Sequence, residues 1–70
     1  MVKVRFTASG YGTSTTHYKT HQEAVQAVEV EATDMAFDRD LDPQKAVFRA
    51  SDEWTLSSRS GEEIARWEFV

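Results

Sequence analysis

Seventy residues, 40% of them apolar, with no cysteine and a net charge of −4, suffice for one small folded domain over residues 1–70. A chain of this size buries roughly 60% of the surface it exposes when unfolded, so its core contributes only a few kcal/mol net. Neither disulfides nor thiolate-bound metal can reinforce that core, and two Trp, two Tyr and four Phe exclude a disordered segment.

Val2, Val4, Phe6 and Ala8 alternate with Lys3, Arg5 and Thr7, a period of two that predicts a first strand with one apolar and one basic face. Ser9-Gly10-Tyr11-Gly12 is the turn, where two glycines accept backbone angles that other residues avoid. Thr13 to Lys19 is rich in β-branched Thr and includes Tyr18, which predicts a second strand pairing back as a hairpin, polar on both faces. Thr20-His21-Gln22-Glu23 is a capping box: the Thr20 hydroxyl accepts from the Glu23 amide, and the Glu23 side chain reaches back to the Thr20 amide. The helix it opens runs to Phe37 or Arg39. Residues about 100° apart place Ala24, Val28, Ala32 and Met35 on one stripe, flanked by Val25, Ala27 and Ala36. Small side chains dominate that stripe, so the helix can lie close against a sheet. Leu41-Asp42-Pro43 ends it, because the residue before proline disfavours helical geometry.

Ala46 to Ser51 predicts a third strand and Trp54 to Ser58 a fourth, joined at Asp52-Glu53. Arg59-Ser60-Gly61-Glu62 places a glycine at a tight turn, and Glu63 to Val70 makes a fifth strand with Ala65, Trp67 and Phe69 inward. The expected fold is α+β: a two-layer sandwich, β-β-α-β-β-β, with one helix packed on an antiparallel sheet of four to five strands.

Charge is laid out unevenly. Residues 1–19 carry Lys3, Arg5 and Lys19 and no acid, residues 20–42 carry seven acids against Arg39 alone, and residues 43–70 carry four bases and five acids. The three segments sum to +3, −6 and −1, together the net −4. Such a field bears on partners and association rates rather than on fold.

Two surfaces follow from this layout. On the helix, Val30 and Phe37 fall about 160–180° from the core stripe, in line with Gln26 and Thr33 and flanked by Glu23, Glu29 and Asp34. An apolar pair with an acidic surround suits a protein contact, although a helix that unwinds early would instead fold Phe37 back onto the sheet. Asp34 and its neighbours near a helix C-terminus oppose the macrodipole, a cost whose tolerance hints that the acidity is used. On the sheet, Lys3 and Arg5 point outward if Val4 and Phe6 point inward, Arg66 does so if Trp67 is inward, and Arg49 does so if Phe48 is inward. Four bases from three strands then share one face with Thr7, Thr13 and Thr15 nearby, a face suited to phosphate or an acidic protein and balanced by Glu53 and Glu68.

Other constellations point to less. His17 ends a strand and His21 opens a helix, so the pair lacks helical i, i+4 geometry and the further ligands a zinc site needs. Asp38-x-Asp40-x-Asp42 imitates the opening of a calcium loop, but Pro43 stands where the loop needs Gly and Arg49 where it needs a bidentate Glu. No cofactor motif, Gly-rich phosphate cradle or nucleophile–base arrangement is present. Glu62 and Glu63 lie beside a turn where water keeps both ionised, and one helix on one sheet leaves little concave volume. No enzyme is expected. No apolar run approaches a membrane span and the start carries no apolar signal region, so a cytoplasmic location without membrane contact is expected.

The order of elements, with Thr20-His21-Gln22-Glu23-Ala24 opening the helix and Ser60-Gly61-Glu62 turning the last hairpin, resembles small proteins of phages and mobile elements. These include anti-CRISPR proteins with one helix against a curved antiparallel sheet, and the order also looks like several short bacterial families of β-β-α-β-β kind. That resemblance implies a stoichiometric inhibitor occupying a nucleic-acid-binding surface of a host complex; it carries over no functional residue.

The leading expectation is a non-enzymatic binding protein that docks on a basic protein surface through Glu29, Asp34, Asp38 and Asp40, with Val30 and Phe37 as apolar anchors. One alternative is a small nucleic-acid-binding protein using Lys3, Arg5, Arg49 and Arg66. Another is a structural subunit, a homodimer whose exposed strand edge pairs with a second copy.

Overall fold

The computed structural model describes residues 1–70. Seven elements follow one another: β1 (Val2–Ala8), β2 (Gly12–Tyr18), α1 (His21–Asp38), α2 (Pro43–Ala46), β3 (Val47–Arg49), β4 (Glu53–Ser57) and β5 (Glu63–Phe69). The strands form one five-stranded sheet in the order β2-β1-β5-β4-β3, with every neighbouring pair antiparallel. α1 packs across one face, so the architecture is the expected α+β sandwich. The last strand takes the middle of the sheet, where β5 joins the β1–β2 hairpin to the β3–β4 hairpin. That position suits its composition, since Ala65 and Trp67 are buried and Ile64 and Phe69 pack against the core.

Register decides which side chains meet the helix. Val4 pairs with Phe69, Phe6 with Trp67 and Ala8 with Ala65; Trp54 pairs with Trp67 and Leu56 with Ala65. Alternation along each strand puts all of these on one face. Above them lie Ala24, Val28, Ala32 and Ala36, one per turn of α1 and all fully buried. Small residues on the helix let its backbone approach the large ones on the sheet, Trp67 and Leu56. Met35, expected on the stripe, is only half-buried, and Ala36 takes the innermost place. The Trp67 and Phe6 rings lie 5.3 Å apart. The indole Nε1–H of Trp67 is buried without a hydrogen-bond partner, a defect that costs about 1–3 kcal/mol.

The ends of α1 follow recognisable chemistry. Thr20 caps it, its hydroxyl accepting from the Glu23 amide at 3.1 Å. The helix persists through Phe37, which is therefore exposed on its surface rather than folded back onto the sheet. It closes in a Schellman arrangement: the Leu41 amide donates to the Ala36 carbonyl at 2.8 Å and the Asp40 amide to the Phe37 carbonyl at 3.1 Å. Asp40 adopts the left-handed conformation this closure requires, at φ 59°, a place usually given to glycine.

Two expectations after the helix need correcting. Asp42-Pro43 not only stops α1 but opens α2: the Asp42 carboxylate accepts from the Gln44 amide at 3.0 Å, and proline suits the first helical position. The third strand accordingly begins at Val47, not Ala46, and ends at Arg49. Its facing is also reversed. Val47 pairs with Leu56 and Arg49 with Trp54, so Val47 and Arg49 lie on the helix side. Phe48 lies on the outer face, 64% exposed.

Candidate functional site

Arg49 and Glu29, expected on separate surfaces, meet each other. Arg49 Nη2 donates to Glu29 Oε2 at 2.8 Å and its Nε to Oε1 at 3.2 Å, a two-pronged contact between β3 and α1. The guanidinium also lies over the Trp54 ring, 5.1 Å from its centroid. Thr33 adds a hydroxyl donor to Glu29 at 3.1 Å. The Arg49 hydrogen bond, helped by Thr33 and by the positive charge, holds the Glu29 carboxyl below its ordinary range against a smaller opposing effect of burial. These two residues are thus engaged within the fold, in a strut that pins the helix to one side of the sheet.

That strut orients the rest of the helix. With about 100° between successive residues, Glu29 marks the flank of α1 facing β3, and Glu31 and Asp38 fall on the opposite flank, towards β2. At the end of β2, burial, and then the charge of Glu31, raise the Tyr18 hydroxyl above its ordinary range. Val30 and Phe37 lie on the crest of the helix, and Glu23 and Asp34 lie between the crest and that flank. Val30 is 61% and Phe37 64% exposed. Glu23, Glu31, Asp34, Asp38, Asp40 and Asp42 form no ion pair; the four pairs in the molecule involve Glu29, Glu53, Glu63 and Glu68. Of the expected contact residues, the structure brings Val30, Asp34, Phe37 and Asp38 onto one exposed surface. It places Asp40 at the helix exit and assigns Glu29 to the strut.

The outer face of the sheet is not the uniformly basic surface the alternation promised. Lys3, Arg5 and Arg66 do point that way, but Arg49 does not. Arg66 Nη1 lies 2.8 Å from Glu53, and its Nη2 lies 2.8 Å from Glu63. Its hydrogen bond to Glu63, followed by the charges of Glu53 and Glu63, raises the Arg66 guanidinium above its usual value. Arg5 lies 3.9 Å from Glu68. Positive and negative groups therefore interleave here, and among the four expected bases only Lys3 has no acidic partner.

No family model, curated protein or solved structure matches this chain. The site must therefore be read from its own chemistry. His17 lies on the outer face opposite Lys3, while the His21 ring packs against Phe69 on the helix side, 5.3 Å between centroids; the sheet separates them. No three His, Asp or Glu side chains converge into a metal-holding group. A cleft of 520 Å³ lies between the exit of α1 and the β4–β5 turn, lined by Asp40, Asp42, Lys45 and Arg59 among others. Arg59 spans it, donating to the Asp40 carbonyl at 2.6 Å, so its polar groups are of mixed sign and partly joined.

Sequence reasoning missed the Glu29–Arg49 strut, and no local signal announced it, since the partners are twenty residues apart. Periodicity alone puts Val30 on the exposed side; for Phe37 it leaves a fold back onto the sheet open, and the continuation of α1 to Asp38 decides for exposure.

Proposed function

We propose that this is a non-enzymatic binding protein whose acidic helix surface docks on a basic surface of a protein partner. The observation that carries the reading is the exposure of Val30 and Phe37 beside carboxylates that find no cation within the chain. Aromatic anchors surrounded by polar groups carry much of the binding energy at protein interfaces. Unpaired acids raise the rate of encounter with a basic surface. A surface built only for solubility needs the charges and not Phe37.

In its finer form the reading is a stoichiometric inhibitor of the phage type, occupying a surface that otherwise holds nucleic acid. Glu23, Glu31, Asp34 and Asp38 recur along about 22 Å of helix at about 1.5 Å per residue, a row of negative charge of the kind such a surface binds. A chain without cysteine suits a reducing compartment, and the cytoplasm is the location that accompanies this reading. No helix is long and apolar enough to cross a membrane.

The test is capture from host extract with three immobilised proteins: the natural chain, Val30→Glu/Phe37→Glu, and Asp34→Lys/Asp38→Lys. Proteins held by the natural chain should be lost from both variants and displaced by heparin. Retention by both variants refutes the reading. Tight, steeply salt-dependent binding of DNA or RNA by the isolated protein would instead favour Lys3 and Arg5 on the sheet face.

A further inference from the structure

We infer that this protein forms a symmetric dimer in which the free edge of β2 pairs antiparallel with β2 of a second copy about Thr15, making one ten-stranded sheet. The inference goes beyond the binding role proposed above and does not depend on it.

β2 is outermost on its side of the sheet. An edge strand leaves a row of backbone N–H and C=O groups open to another chain, and proteins guard such rows with proline, bulges, charged side chains or brevity. β2 has none of these guards. It runs seven residues in unbroken register with β1, and Gly12 to Tyr18 contains no proline, lysine, arginine, aspartate or glutamate. Residues 12–17 are all exposed, so the rest of the chain covers neither face of the strand.

The bonding phase identifies the free groups. Lys3 and Val70 exchange both backbone hydrogen bonds, at 3.3 and 2.8 Å, and the Ser9 amide donates to the Ile64 carbonyl. Backbone groups of successive strand residues point to alternate sides, so Lys3, Arg5 and Thr7 turn to β5, and Val2, Val4 and Phe6 turn to β2. Their partners Tyr18, Thr16 and Ser14 face β1 in return, which leaves the N–H and C=O groups of Thr13, Thr15 and His17 on the open edge. That set is symmetric about Thr15. A two-fold axis there sets Thr15 opposite Thr15 and Thr13 opposite His17, and every free group of one copy finds a partner in the other.

The side chains suit a second copy. Like charges directly opposite each other destabilise a strand pair, and this strand has none to set against its own kind. Thr15 meets Thr15, a favourable cross-strand pair; on the helix side Ser14 meets Thr16, and Gly12 meets Tyr18. Arg5, the neighbour of Thr15 on β1, stands three strand spacings, about 14 Å, from its counterpart, beyond the screening length of about 8 Å at physiological salt. The exit of α1 is tied to the β4–β5 turn by Arg59 and the Asp40 carbonyl, so the helix carries Asp34 and Asp38 away from this edge. The opposite edge, β3, has three residues, too few to pair along β2 head to tail, so the contact closes as a dimer instead of growing. An axis normal to the sheet puts both helices on the same face, presenting two Val30–Phe37 crests to one side.

A single strand pair is smaller than the interfaces of about 1,600 Å² that give micromolar or tighter complexes, so sedimentation equilibrium should show the doubled mass only as protein approaches about 1 mM. Amide exchange at Thr13, Thr15 and His17 should slow as concentration rises, while Ser14 and Thr16, bonded to β1, stay protected throughout. Thr15→Lys and Thr15→Glu, at an exposed position, should each dimerise at least about tenfold more weakly, and an equimolar mixture should regain the dimer as opposite charges meet across the axis. Val30→Glu/Phe37→Glu should dimerise as the natural chain does. A chain that stays monomeric up to that concentration overturns the inference, as does a dimer that both Thr15 variants form equally well. A mixture that associates no better than its components overturns the pairing about Thr15. Loss of the dimer in Val30→Glu/Phe37→Glu would move the contact to the helix crest and overturn the edge pairing, leaving the proposed function standing.

Discussion

Replacing Asp38 by lysine should make the protein more stable. Asp38 is the last residue of α1, and the last turn contains no basic residue, so its carboxylate faces the partial negative charge of the helix C-terminus. Cations in such positions stabilise by about 0.3–1 kcal/mol and anions oppose by a similar amount. Asp34 stands one turn earlier, an acid–acid pair at i, i+4 costing about 0.2–0.5 kcal/mol, which lysine converts into an attractive pair of like size. Discounted for solvent exposure and for the adjacent Arg39, the change sums to about 1 kcal/mol, or about 4–8 °C in a domain of this size. Thermal melting followed by circular dichroism at low ionic strength measures it, and half-molar salt should erase most of the gain. Asp38→Asn should recover roughly half. An Asp38→Lys protein that melts at or below the natural temperature in low salt would refute the reasoning, because the carboxylate would then have a stabilising role within the fold. The same substitution should weaken partner capture, separating stability from function at one position.

Three further outcomes follow from the packing and the strut. Because Glu29 is held below its unfolded value, it contributes stability above about pH 4.3 that is lost as pH falls through its folded value. Urea titrations of the natural protein and Glu29→Gln from pH 7 down to 3 should show the variant lacking that part of the acid dependence, and parallel curves would contradict the strut. Phe48→Thr should change stability by less than about 0.5 kcal/mol while Leu56→Ala costs about 2–5 kcal/mol. A large Phe48 effect would restore the opposite facing of β3. Trp67→Phe removes the unpartnered indole N–H together with some volume, so denaturant unfolding should show a smaller loss than the roughly 3–5 kcal/mol of Trp67→Ala. Equal losses would show that the indole nitrogen is satisfied after all.

Much of the fold is legible where the signal is local. The Thr20–Glu23 box marks the helix start, and alternation in Val2–Ala8 and Glu63–Phe69 marks two strands with their inward faces. The periodicity of α1 puts Val30 and Phe37 on its crest. What escapes is set by distant partners. Three residues are too few to phase β3, since inward Phe48 and inward Val47 with Arg49 both satisfy alternation. Pairing with Trp54 and Leu56 decides the matter, and it turns Arg49 away from the other bases and into the Glu29 strut. Pro43 is legible as a stop for α1, but its second role as the first residue of α2 depends on the Asp42 cap. The central place of β5 is a matter of topology, and with it comes the interleaving of Arg66 with Glu53 and Glu63, acids from two different strands. The exposed acidic surface accordingly stays on the helix, while on the sheet three of the four bases meet acids.

The most direct test of the docking surface is the association rate with a captured partner, measured across ionic strength for the natural chain and for Asp34→Lys/Asp38→Lys. Steering by unpaired acids predicts a rate for the natural chain that falls steeply as salt rises, and a slow, nearly salt-independent rate for the variant. Identical rates and identical salt slopes for the two proteins would contradict the account.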